Sequence, residues 1–139
     1  MKNICIIPAR GGSKRIRNKN IINFFGKPLI FRAINAAKKS KLFSEIFIST
    51  DSLKIINLAK KYNVNYLVRE KYLSNGSVTI HYVIQKTIKL LKKKIIFDNV
   101  CCILPTAVLI NYKNLIKSYK ILSRNKSDFV IPVSQFSYP

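Results

Sequence analysis

The sequence predicts an α/β fold, a mostly parallel β-sheet with helices on both faces. Three observations predict it. Short β-branched runs alternate with amphipathic stretches from one end of the chain to the other. The candidate strands are nearly continuous apolar runs instead of alternating ones, so both faces of the sheet are expected to be covered. No internal repeat, low-complexity tract or linker interrupts the 139 residues, a length that suits one domain and not two.

The elements follow in order. Asn3–Ile7 reads as the first strand, and a polar loop runs from Ala9 to Asn20. Pro28 stands where the first turn of a helix tolerates proline, and Ile30, Ala33, Ile34 and Ala37 then recur at helical spacing. Glu45–Ser49 is the second strand, and Asp51 is placed to cap a helix carrying Ile55, Ile56 and Ala59. Asn65–Val68 is a short third strand. A helix from about Val78 to Lys93 carries Ile84, Ile88 and Leu91 on one face. Asn99–Leu104 is the fourth strand, Tyr112–Ser123 a helix, and Asp128–Val133 a fifth strand.

The charge is extreme. Lys and Arg total 26 against Glu45, Asp51, Glu70, Asp98 and Asp128, a formal net charge of +21. Such a balance suits a polyanionic partner. Composition explains much of it, because 20 Lys, 22 Ile and 13 Asn beside 6 Ala is the usage of an AT-rich genome. Most lysines also fall on the solvated faces of predicted helices. A nucleic-acid-binding module would place lysines and aromatics on one face, whereas Phe24, Phe25, Phe43, Phe47 and Phe129 sit in apolar clusters. Nucleic acid is therefore not the expected partner.

No apolar run approaches the ~20 residues that span a bilayer, so a membrane is not expected either. The opening Met1–Pro8 has too short an apolar part for a signal peptide, and Arg10 stands where a cleavage site would be. Cys101 and Cys102, adjacent on a predicted strand, point to opposite faces and cannot pair with each other in an ordinary disulfide. Cys5 lies in another apolar burst, and none of the three cysteines has metal-ligand spacing. Reduced thiols and a cytoplasmic setting are expected.

In parallel α/β sheets, ligands bind beyond the carboxyl ends of the strands. That rule selects the loops Ala9–Asn20, Thr50–Asp51, Arg69–Thr79 and Pro105–Ile110. The first loop is the strongest signal. Gly11 and Gly12 let the backbone approach a bulky anion and expose successive N–H groups. Arg10, Lys14, Arg15, Arg17 and Lys19 supply five cations within ten residues. Arg10 offers a fork of donors to phosphate oxygens, and Lys19 a point charge. The loop has neither a P-loop ending nor dinucleotide-fingerprint spacing, yet its chemistry suits a nucleoside triphosphate.

The run Ile6-Ile7-Pro8-Ala9-Arg10-Gly11-Gly12-Ser13-Lys14-Arg15-Ile16, followed by Lys19-Asn20-Ile21, resembles the opening of acylneuraminate cytidylyltransferases. The resemblance continues through Gly26–Ile30, Ser49–Asp51, Leu58–Tyr62, Val68-Arg69, Leu73-Ser74, Cys101–Ile103 and Pro105–Ala107, in the family's order. The Cys101-Cys102 pair, Asp128–Val130 and Phe136–Pro139 look most like the branch that activates pseudaminic acid. Another sugar nucleotidyltransferase of the same fold, such as the 3-deoxy-octulosonate type, is the alternative enzyme, and the Gly-Gly-Ser-Lys-Arg run argues against it.

The resemblance implies a Rossmann-like, nucleotide-diphospho-sugar transferase type of fold, here one CTP-binding domain incomplete at its C-terminus. It implies transfer of CMP from CTP to a nine-carbon acidic sugar, with release of pyrophosphate, and a possible homodimer. By the same resemblance, Arg10 and Lys19 are the expected catalytic residues. Gly11, Gly12, Ser13 and Lys14 are the expected cradle, and Asn20 and Arg69 the expected nucleotide contacts. Magnesium (Mg2+) is the implied cofactor, with its aspartate ligands in a part of the family's sequence beyond this chain, so no metal ligand is expected here. The chain departs from the family's usual pattern at Arg17, normally proline, over Asn75–Ile80, and at Leu104 and Val108. His81 is expected to face solvent or pack, not to catalyse.

Overall fold

A computed structural model describes residues 1–13, 15–125 and 127–135. Among the described residues there are six strands: β1 (Asn3–Pro8), β2 (Asn23–Phe24), β3 (Lys27–Pro28), β4 (Glu45–Thr50), β5 (Asn65–Val68) and β6 (Asn99–Cys102). Four helices alternate with them: α1 (Ile30–Ser40), α2 (Leu53–Lys61), α3 (Ile80–Lys92) and α4 (Tyr112–Asn125). The main sheet has the order β5-β4-β1-β6 and every pairing in it is parallel. Parallel neighbours need crossovers, and here helices supply them.

The apolar runs are buried on both faces, as their patterning requires. All six residues of β1 are buried. Cys5 and Ile7 enter one cluster with Ala33, Ile34 and Ala37 of α1, Ile55 and Ala59 of α2 and Leu115 of α4. Ile4 and Ile6, pointing the other way, meet Phe47 of β4 and Leu91 of α3, with Ile84 and Ile88 packed alongside. The strand period of two thus divides β1 between two cores. The helical periodicities read from the sequence for α1 and α3 are the faces that pack.

Two elements differ from expectation. Pro28 does not open a helix. It pairs with Asn23 in a small antiparallel hairpin, Leu29 N–H donates to Ile22 O at 2.9 Å, and α1 begins only at Ile30. The hairpin tip is Phe25-Gly26, with φ of 51° and 75°. Two central residues at positive φ make the turn whose twist suits a two-residue hairpin. Phe25 is an unusual choice there, and its ring meets Phe24 edge-on at 4.9 Å while Arg32 lies over both.

The fifth strand, expected at Asp128–Val133, does not form. Among the described residues the segment has no ladder partner, and Phe129, Ile131 and Val133 are exposed. A cavity of about 920 Å3, lined by β6, α4 and residues 128–132, lies between it and the edge of the sheet. Strand propensity is largely cross-strand packing, so an apolar run without a neighbour stays irregular. The resemblance to Phe136–Pro139 lies outside the described residues.

Leu91 is 1% exposed and carries α3 onto the sheet. Leu91→Ala should cost about 2–5 kcal/mol, read as a lowered denaturant midpoint at unchanged slope, whereas Leu109→Ala, at 90% exposure, should leave the midpoint in place.

Candidate active site

β1 is flanked by β4 on one side and β6 on the other, so the chain reverses its direction of winding at β1. A crevice opens beyond the carboxyl ends of the strands at such a point. The loops after β1, β5 and β6 and the start of α3 line a cavity there of about 280 Å3. Its wall includes Arg10, Ser13, Lys19, Asn20 and Arg69, residues up to 59 positions apart in sequence. Pro105 and Thr106 close the side facing β6, and Asn75, Gly76 and Val78 the side facing α3.

The loop is held from below. Gly11 N–H donates to the Asp51 carboxylate at 2.8 Å, and Asn20 Nδ2 donates to Arg10 O at 2.9 Å. A Cβ on Gly11 would stand 2.8 Å from Ser52 Cβ and 3.2 Å from its hydroxyl. Glycine is therefore required at Gly11 by close packing against the start of α2. At Gly12 nothing lies within 4 Å of the corresponding point.

These contacts revise three readings. Asp51 does not cap α2: Ser52 occupies that position, with no side-chain cap bond, and Asp51 anchors the loop instead. The helix starts on backbone bonds from Ile55 and Ile56 to Ser52 O. Gly11 and Ser13 do not present free N–H groups, because Gly11 donates to Asp51 and Ser13 N–H turns back to Gly11 O at 3.0 Å. The amide of Asn20, 6% exposed, is spent on the loop backbone, so Asn20 is a positioning residue as well as a lining one. Lys14 lies outside the described residues.

Arg69 is not a surface arginine. It is 8% exposed, and its Nη2 donates to Ser49 O at 2.8 Å while Nε points to Ser49 Oγ at 3.4 Å. Ser49 in turn lies 3.4 Å from Thr87 Oγ1, whose proton goes to Val83 O at 2.8 Å. The donors thus run one way, from guanidinium to hydroxyl to hydroxyl to carbonyl. Burial lowers the pKa of Arg69 from its ordinary value, Asp51 pulls it back up, and Arg10 lowers it further. Arginine stays charged under such pressure. Two guanidiniums that repel each other across a crevice favour an anion between them.

Sequence reasoning missed Ser74, whose hydroxyl is buried without a partner among the described residues. It stands between Leu73 and Asn75, both of which line the cavity. Nothing in a Leu-Ser-Asn run signals that. His81 is exposed, as expected. Among the described residues no three His, Cys, Asp or Glu side chains gather to hold a metal. Asp51, the carboxylate nearest the loop, is already bonded to Gly11. Magnesium prefers several oxygen ligands, so these residues do not form its site.

The family model for cytidylyltransferases matches residues 4–134. The chain belongs to the cytidylyltransferase family. It is 45% identical to a pseudaminic acid cytidylyltransferase of Campylobacter jejuni, over all of this chain and 61% of that protein. It is 39% identical, over 77% of this chain and 47% of the relative, to a CMP-N,N'-diacetyllegionaminic acid synthase of Legionella pneumophila. Among solved structures, a CMP:2-keto-3-deoxy-manno-octonic acid synthetase complexed with CTP superposes with a TM-score of 0.75 at 16% identity. That match covers 91% of this chain and 49% of the other. A cytidylyltransferase from Leptospira borgpetersenii gives a TM-score of 0.71 at 22% identity, over 91% and 50% of the two chains. These structural likenesses establish the fold. The chain spans about 61% of the length of the Campylobacter relative. No helix among the described residues is long and apolar enough to cross a membrane.

Gly11→Ala should displace the loop and weaken nucleoside triphosphate binding on the order of tenfold or more, since small misplacements of a positioned group are costly. Ser52→Gly removes both atoms that the new Cβ meets. The double variant should therefore recover most of the loss in an isothermal titration, a coupling that independent sites would not show.

Proposed function

We propose that this chain is the CTP-binding domain of a cytidylyltransferase that transfers CMP to a nonulosonic acid, pseudaminic acid in preference to N-acetylneuraminic acid, with release of pyrophosphate. One observation carries the reading: Arg10, Ser13, Lys19 and Arg69 converge on a single cavity at the strand ends, in a chain 45% identical along its whole length to a pseudaminic acid cytidylyltransferase.

In the reaction, the anomeric hydroxyl oxygen attacks the α-phosphorus of CTP. The bond from that phosphorus to the bridging oxygen breaks, pyrophosphate leaves, and the hydroxyl proton is lost. Negative charge builds on the phosphoryl oxygens, so positioning and charge stabilisation supply most of the catalysis. Arg10, two residues past the end of β1, offers a bidentate fork to the phosphates. Lys19, on the short 3-10 turn Lys19–Ile21, adds a cation that needs no fixed orientation. Arg69 is rigid, buried and pre-charged, and so costs little to organise when the anion arrives. Ser13 is the hydroxyl in the cavity wall placed to bond the ligand, while Gly11 and Asn20 give the loop its path.

The overall charge of +21 favours nucleotide encounter without specifying the base. Discrimination of cytosine is therefore the sharper test. CTP should raise the melting temperature of the purified chain and ATP should not, because only a ligand bound to the native state stabilises it. Arg10→Ala should weaken CTP binding roughly tenfold to a hundredfold, as expected for a lost charged hydrogen bond, with the melting temperature of the free protein unchanged. Equal shifts with CTP and ATP, or unaltered CTP affinity in the variant, would overturn the assignment.

A further inference from the structure

Cys5 on β1 and Cys101 on β6 stand directly opposite one another in the parallel register. Adjacent strands lie about 4.8 Å apart, and side chains at paired positions share a face. That spacing falls inside the roughly 4.4–6.8 Å between Cα atoms that a disulfide accepts. Both residues belong to the face covered by α1 and α4, with Cys5 fully buried and Cys101 half-buried against the same cluster. Cys101 also lines the 920 Å3 cavity beside α4, which gives small solutes a route to it and leaves Cys5 behind it. Cys102, next along β6, also lines that cavity, but it is exposed, lies outside the cluster and points to the other face of the sheet. The two opposed thiols interact. The Cys101 thiol beside it, together with burial, raises the pKa of Cys5 well above its usual value. The same neighbour relation acts on Cys101 in the opposite sense, against its burial.

We propose that Cys101 and Cys5 form a peroxide-responsive redox pair, Cys101 reacting first and Cys5 resolving. The Cys101 sulfur attacks the O–O bond of a peroxide: an S–O bond forms, the O–O bond breaks, and water or an alcohol leaves. The Cys5 sulfur then attacks the sulfenic sulfur. An S–S bond forms, the S–O bond breaks, and the oxygen departs as water with the Cys5 proton. One peroxide is reduced for each pair of thiols oxidised, and an added dithiol reverses the change. The bridge joins the strand that delivers Arg10 to the strand that delivers Pro105 and Thr106, the two walls of the phosphate cavity. The pair does not depend on which sugar or nucleotide the cavity takes.

The test uses the purified full chain, treated with hydrogen peroxide, quenched, denatured and titrated for free thiols. The count should fall from three to one and return to three with dithiothreitol. Peptide mapping should place the bridge between Cys5 and Cys101. In Cys5→Ala the reaction should stop at a Cys101 sulfenic acid that dimedone traps, and in Cys102→Ser two thiols should still be lost. Three surviving thiols, a bridge to Cys102, or a bridge found only between molecules would overturn the pair. Should Cys5→Ala fold poorly, mapping of the unaltered chain decides by itself.

Discussion

Every functional feature of the chain depends on the complete burial of β1. Its six residues are closed off on both faces and both edges, by β4 and β6 within the sheet and by two separate apolar clusters above and below. A strand in that position cannot slide, because a shift of one residue would exchange Cys5 and Ile7 with Ile4 and Ile6 between cores of different shape. The loop that follows therefore starts from a fixed point. Ala9 N–H continues the strand by donating to Ser49 O at 2.9 Å, and Arg10 is the first residue released toward solvent. The position of the leading cation is set by packing some distance below it.

A second layer of order lies at the end of β4, where Ser49, Thr50 and Asp51 divide the work. Ser49 accepts from the buried guanidinium through both its carbonyl and its hydroxyl. Thr50 O receives Arg69 N–H at 2.7 Å, and the Thr50 hydroxyl receives Ser52 N–H at 3.1 Å. Asp51 anchors Gly11. Three consecutive residues thus tie the loop after β1, the start of α2 and the loop after β5 into one frame. The frame is polar and largely satisfied internally, which is what allows a charge such as that of Arg69 to be buried. Its electrostatic tension, with Arg10 and Asp51 acting on Arg69 in opposite senses, is what an incoming phosphate chain would relieve.

The opposite edge of the sheet has another character. β6 leaves one side unpaired among the described residues, and the apolar run at 128–133 lies across a cavity from it without joining the ladder. The core is therefore strongest around β1 and β4 and thinnest beyond β6, where Cys101 borders open space.

Fold class, the four strands of the main sheet, the four helices and the cationic loop of the candidate site were legible in the sequence, because each rests on local pattern; the β2–β3 hairpin was not. Apolar runs, helical spacing and a dense cluster of cations beside two glycines carry their meaning wherever they occur. Arg10, Ser13, Lys19, Asn20 and Arg69 could be named from the chain, and the tertiary structure lines one cavity with them. The rest depended on partners distant in sequence. Asp51 has the type and place of a helix cap, yet its oxygen is taken by Gly11, 40 residues away. Arg69 could be named from the sequence, but its burial and its bonds to Ser49 come from the sheet that encloses it. The 128–133 segment has every local mark of a strand and lacks the neighbour that would make it one. Cys5 and Cys101 reveal nothing in sequence, and only the register of two parallel strands sets them face to face. Periodicity determines which face of an element is buried; which residues meet there is decided by how strands align across the sheet, through hydrogen bonds and packing that no local stretch of sequence contains.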